Sequence, residues 1–160
     1  MPEKADLRFV FSHPAHFLAF GFGSGLSPFA PGTAGTLAAF PLYWVLALFF
    51  NQAELLIILA AAFLAGIWFC DKAGKALGVA DHGGIVWDEI VAFMLVLVFS
   101  PQTPLWFGAA FGLFRLFDIW KPFPIRYFDT RIKNGFGVML DDLLAAGYAL
   151  IVLQGVVWLK

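Results

Sequence analysis

The chain has 160 residues, of which 61% are hydrophobic and only 13% charged, and its net charge is −1 at pH 7. Ordinary proteins hold roughly 45–50% apolar and about 25% charged residues, and a chain this small has too much surface for its volume to hide such an excess in water. No Lys/Arg-rich run is present to track a nucleic-acid backbone, and the single cysteine, Cys70, excludes an internal disulfide framework.

The N-terminal residues mix Glu3, Lys4, Asp6 and Arg8 and lack a basic stretch followed by a clean apolar core, so no cleaved signal peptide is expected. His13 to Phe22 fit a short interfacial helix. Gly21, Gly23, Gly25, Pro28, Pro31 and Gly32 then break any regular pattern. Apolar runs follow at Ala34–Phe50, Leu55–Cys70, Ile90–Phe99, Leu105–Phe117 and Leu143–Leu159. A full membrane crossing takes about 20 residues, so several of these runs are short. Extending two of them to Val86–Phe99 and Pro104–Ile119 gives more plausible helices and puts Asp88, Glu89, Arg115 and Asp118 at helix ends. Between the runs lie a Gly-rich polar segment, Asp71–Glu89, and the densest charge group, Asp118–Asp142.

The expected fold is all-α: a polytopic membrane protein with about five short membrane-embedded helices, forming a single domain over residues 1–160. A soluble helical core protein is the alternative, since apolar runs of about 10–14 residues also occur in buried helices. Five crossings place Lys4, Arg8, Lys72, Lys75, Arg115, Lys121, Arg126, Arg131 and Lys133 on one side and Lys160 on the other. Lys and Arg favour the cytoplasmic side, so the charged face, and with it the active site, is expected there. The six tryptophans mostly lie near run ends, where interfacial aromatic belts form.

Three polar segments share that face. Ser27 to Thr36 supplies Gly32, Thr33 and Gly35 just before an apolar helix, where free N–H groups attract anions; an ordinary capped helix start explains the same residues. Asp88 and Glu89 enter an apolar stretch side by side. A carboxylate at membrane depth is expensive and points to function, although a helix start also favours acids through its dipole. Arg115, Asp118 and Lys121 are spaced to share one helix face, as a phosphate-binding set or as a plain surface ladder of ion pairs. Asp141 and Asp142 stand at the head of the last apolar run, with no base beside them.

Gathered carboxylates need a counter-ion. Hard oxygen donors without Cys or several His suit Mg²⁺ better than Zn²⁺. Arg115 and Lys121 beside such an ion would bind phosphate. Other phosphatase chemistries find no support. Six residues after Cys70 stands Ala76, not Arg. Asp118 and Asp129 are followed two places on by Trp120 and Arg131, not Asp. His13, His16 and His82 lack an Arg-rich setting. Water activated by the metal or by a carboxylate remains the simplest nucleophile.

Four segments together resemble the phosphatidylglycerophosphatase A family: Pro28–Thr36, Ile85–Glu89, Phe114–Ile125 and Gly135–Asp142. The resemblance spans roughly residues 20–150 in the right order. Asn134 and Ala92 stand where the family commonly has Gly; neither change removes a charged group. The resemblance implies a bacterial inner-membrane enzyme that removes the terminal phosphate of phosphatidylglycerophosphate, with Mg²⁺, to give phosphatidylglycerol.

On that reading Asp88, Glu89, Asp141 and Asp142 hold Mg²⁺, with Asp118, Asp88 and Glu89 as the catalytic carboxylates and Asp118 as a further ligand or general base. Arg115 and Lys121 bind phosphate, and Gly32, Thr33 and Gly35 shape the anion pocket. The acyl chains are expected to stay in the bilayer, so that only the head group enters. A small ion-binding or transport protein is the competing reading; it expects carboxylates near mid-span.

Overall fold

A computed structural model describes residues 4–159 and is all-helical over that range. Lys160, expected on the far side of the membrane, lies outside the described residues, as does Glu3. The helices are α1 (Leu7–Ser12), α2 (Pro14–Ala19), α3 (Pro31–Ala47), α4 (Gln52–Leu77), α5 (Trp87–Phe99), α6 (Pro104–Trp120), α7 (Ile125–Arg131) and α8 (Gly135–Trp158). A 3-10 stretch, Gly21–Leu26, joins α2 to the segment before α3.

The apolar runs locate the long helices, but local chemistry sets their ends. α4 begins at a capping box in which Asn51 and Glu54 satisfy each other's backbone N–H groups. It continues past the apolar run through Asp71, Lys72 and Lys75, where an Asp71–Lys75 pair of 2.5 Å supports the last turns. Gly78, at φ 71°, then closes it. The expected helix over 13–22 is shorter, Pro14–Ala19: the His13 side chain caps its start and a 3-10 stretch takes over at Gly21, while a separate helix, α1, precedes it.

The largest shift concerns α8. The sequence places its start at Leu143, yet it begins at Gly135, because Asn134 is an N-cap whose side chain accepts from the Gly137 N–H. Asp141 and Asp142 are therefore about two turns inside the helix rather than at its head. α7 is a further helix that the sequence reading did not contain.

α5 and α8 form the centre. α5 packs on α3, α4, α6 and α8, and α8 on α4, α5, α6 and α7. α5 is only 13 residues long, with Ile90, Val91, Ala92, Phe93, Met94, Val96 and Leu97 all buried. A helix that is apolar all round belongs inside other helices. Large side chains stand exposed on the outer helices, among them Trp44 and Val45 on α3, Ile57, Leu64 and Trp68 on α4, Leu116 and Ile119 on α6, and Ile151 and Trp158 on α8. Gln52–Leu77 and Gly135–Trp158 are long and apolar enough to cross a membrane.

Candidate active site

Helix polarity brings the start of α3, the start of α5 and the end of α6 to one end of the bundle, against the first turns of α8. Asp88 and Glu89 are the second and third residues of α5. The free N–H groups of a helix start favour carboxylates there. Asp142 reaches them from α8. One oxygen of each of Asp88, Glu89 and Asp142 lies within 4.8 Å of the others. Asp88 and Asp142 are buried, at 6% and 3% exposure. We call this the buried group.

Arg115 closes it. Its guanidinium pairs with Asp118 one turn along α6 and lies 3.9 Å from Glu89. Asp118 in turn comes within hydrogen-bond reach of Asp142. Gly32, at the start of α3, faces the same place. A Cβ there would meet the Glu89 carboxylate and come within 3.1 Å of the Arg115 guanidinium. Thr33 is half-buried at the same helix start. No side chain caps α3, and Ala30 before it is left-handed at φ 45°. Its first N–H groups therefore remain available to an anion.

Among the described residues, several buried polar atoms here lack a hydrogen-bond partner: Asp88 Oδ1, Glu89 Oε2, Asp142 Oδ2 and Arg115 Nε. Buried polar atoms are normally satisfied, and each orphan calls for an explanation. The orphans are of both kinds. Carboxylate oxygens ask for a cation, and a guanidinium N–H asks for an anion.

Asp141 is not in this group. Neighbouring residues on a helix point about 100° apart, so Asp141 turns to the other side of α8. Its carboxylate there meets Asp81, from the loop before α5, and Asp129 on α7, with one oxygen of each within 4.8 Å of the others. Lys121 lies 3.2 Å from both Asp129 and Asp141. This rim group is more open at two of its acids: Asp81 is exposed and Asp129 half-buried, whereas Asp141 is buried at 4% exposure and keeps one oxygen, Oδ1, without a hydrogen-bond partner. Burial alone would lower Lys121, but the charges of Asp141 and then Asp129 outweigh it and hold its ammonium above the ordinary lysine value. Burial alone would raise Asp129; its hydrogen bond to Asp141 and the charge of Lys121 hold it below the ordinary carboxylate value.

The structure thus divides the residues singled out from the sequence. Asp88, Glu89, Asp118, Asp142, Arg115 and Gly32 meet at the buried group. Asp141 and Lys121 meet at the rim group. The expected shared face of Arg115, Asp118 and Lys121 is interrupted, because Lys121 is the left-handed C-cap of α6 at φ 48° and turns away. Gly35 does not line the anion pocket: a Cβ on it would stand 2.6 Å from Val86 Cβ, so it serves the close approach of α3 and α5. Asp81 and Asp129 were not singled out from the sequence. Asp81, within a Gly-rich polar loop, gives a faint signal. Asp129 gives none, since α7 itself was not expected.

Comparison with known proteins identifies the family. The family model described as PgpA, phosphatidylglycerophosphatase A, matches residues 17–157. A Haemophilus influenzae protein named phosphatidylglycerophosphatase A is 52% identical over 95% of this chain and 94% of its own length. An Escherichia coli protein of the same name is 43% identical over 89% of this chain and 83% of its own. A Bacteroides thetaiotaomicron protein, named only provisionally as a phosphatidylinositol-3-phosphatase, is 41% identical over 86% of this chain and 90% of its own. No solved structure matches the chain. With one family model covering most of the chain and two relatives of the same name aligned almost end to end, the chain belongs to the phosphatidylglycerophosphatase A family.

Proposed function

We propose that the protein is a Mg²⁺-dependent phosphatase that removes the terminal phosphate of phosphatidylglycerophosphate and leaves phosphatidylglycerol. The names of its relatives supply the substrate. The observation that carries the chemistry is the buried group, where unpartnered carboxylate oxygens face an unpartnered guanidinium N–H.

The donors fit Mg²⁺: three carboxylates from two helices, all hard oxygens, with buried lone pairs left over. Asp88, Glu89 and Asp142 would hold it. Bound there, the ion would neutralise phosphate charge and acidify a water. Arg115 receives the phosphate, its fork matching two phosphate oxygens. The N–H groups at Gly32 and Thr33 add donors from the α3 start. Asp118 keeps Arg115 in place and stands beside Asp142, where it can accept a proton from the attacking water. Asp141 joins Asp81, Asp129 and Lys121 at the rim. Three carboxylates against one ammonium leave room there for a second cation, and Lys121 offers charge to the departing phosphate.

In this reading α3, α4, α5, α6 and α8 cross the bacterial inner membrane and the site faces the cytoplasm. The exposed apolar faces of the outer helices and the one-sided distribution of Lys and Arg support that placement. The transport alternative is less favoured, because the acids collect at one end of the bundle.

Purified protein in detergent should release phosphate from phosphatidylglycerophosphate with Mg²⁺ and stop when the ion is chelated. Cation flux through reconstituted vesicles without phosphate release would reverse the choice.

A further inference from the structure

Between α4, α5 and α8 runs a cavity of about 370 Å³, a size within the usual range for small-molecule pockets. Its walls follow helical periodicity. Leu56, Leu59, Ala60 and Leu64 come from α4, Leu95 from α5 and Met139 from α8. Residues at spacings of three, four and seven share one face of a helix, so the cavity is a groove running along the helices. It extends over about 10–12 Å, taking about 1.5 Å per residue.

The wall is apolar except at one end, where Asp88 of the buried group contributes. Near that end α4 is pinned: a Cβ on Gly66 would stand 2.6 Å from the Trp87 ring and 2.8 Å from Met139 Sδ. α4 and α5 run in opposite senses, so Leu64 lies toward Asp88 and Leu56 toward Leu95 at the far end. Ala60 and Leu64 are exposed and open the groove sideways onto the α4 face that also bears Ile57 and Trp68.

We propose that this groove takes one acyl chain of the lipid substrate, entering sideways between α4 and α5, and so fixes where the phosphate arrives. The inference rests on the lipid-phosphatase reading and departs from the expectation that the chains stay in the bilayer. Three observations carry it. The groove is apolar and elongated, as a hydrocarbon chain is. It ends on a carboxylate of the candidate site. Its mouth lies on an exposed apolar helix face. The relatives named above also differ in head group while sharing the phosphatidyl part, the part a groove of this kind would recognise. A chain moving from bilayer to groove exchanges one apolar surrounding for another, so the hydrophobic effect contributes little. The groove's contribution is orientation of the reacting phosphate.

The test uses full-length protein in detergent with Ala60→Trp and Leu56→Trp, both outside the carboxylate groups. Phosphate release is compared for diacyl phosphatidylglycerophosphate and for its water-soluble deacylated form. The expected result is a tenfold or greater fall in kcat/KM for the diacyl substrate with the deacylated one unchanged. Alongside it, a phosphatidylglycerophosphate carrying a photoreactive group in its acyl chain should label Leu59 or Leu95 in the wild type and neither in Ala60→Trp. Equal effects on both substrates, or no effect on either, would overturn the groove. Should the wild type release phosphate from neither, the phosphatase reading falls. The labelling then decides the groove alone: label on Leu59 or Leu95 keeps it, and no label removes it.

Discussion

The two carboxylate groups are built from adjacent residues, Asp141 and Asp142, yet their surroundings differ. The buried group sets Asp88, Glu89 and Asp142 against one guanidinium that is already paired with Asp118. It retains unpartnered oxygens on all three acids. The rim group sets Asp81, Asp129 and Asp141 around Lys121, which pairs with two of them, and one of its acids is exposed. Solvent and an ammonium relieve most of the rim, which keeps one unpartnered buried oxygen, on Asp141. The buried group has no such relief, and taking charge out of water is costly without compensation. The difference teaches that carboxylate number alone is a poor guide to a metal centre. In the proposed reading the buried group is the metal site because all three of its acids keep an unpartnered oxygen, against one acid at the rim.

That contrast can be broken by substitution. The largest effect is expected at the buried group. Asp142→Asn or Glu89→Gln should lower phosphate release by on the order of 10³-fold, as loss of a preorganised charge at a reacting centre does. Asp141→Asn, one residue away, should cost about tenfold to a hundredfold. Equal losses in the two neighbours would erase the distinction. Steady-state release of inorganic phosphate measures both.

Arg115→Lys keeps the charge and loses the fork, so about a hundredfold loss is expected, seen mainly in kcat. Gly32→Ala pushes a methyl group into the Glu89–Arg115 contact and should cost roughly tenfold to a hundredfold without altering the melting temperature much. Gly35→Ala is its counterpart: the clash is with Val86, so the fold should suffer first, by about 1–3 kcal/mol. Thermal melting in detergent separates the two glycines.

The smallest effect concerns pH at the rim. Lys121 is held above its ordinary value, so its contribution to stability is full below about pH 10 and fades as pH rises through the raised value. Asp129 is held below its ordinary value, so its contribution is full above about pH 4 and fades as pH falls through the lowered one. Both are intact across the neutral range. The melting-temperature difference between wild type and Lys121→Met should therefore shrink as pH rises from about 10 toward the raised value.

Much of this was legible in the sequence because hydrophobicity and charge are one-dimensional signals. The five long helices follow the apolar runs, and Asp88 and Glu89 were placed rightly at the start of α5. The errors came from local chemistry and direction. Asn134 caps α8, which begins eight residues before the apolar run at Leu143, so from the run alone Asp141 and Asp142 stand at its head. Adjacent letters were then read as one site, although a helix turns them about 100° apart. Lys121 was read on the face of Arg115 because nothing in its spacing shows a left-handed cap. Gly35 and Gly32 look alike in sequence. Only packing shows that one meets Val86 and the other the Glu89–Arg115 pair.

The central claim is that the buried group is the Mg²⁺ site of a lipid phosphatase. It is tested most directly by phosphate release from phosphatidylglycerophosphate, with Mg²⁺ titrated into wild-type and Asp142→Asn protein. The account predicts saturable Mg²⁺-dependent release by the wild type and almost none by Asp142→Asn at any Mg²⁺ concentration. Release by Asp142→Asn at the wild-type rate and with the wild-type Mg²⁺ dependence would contradict it.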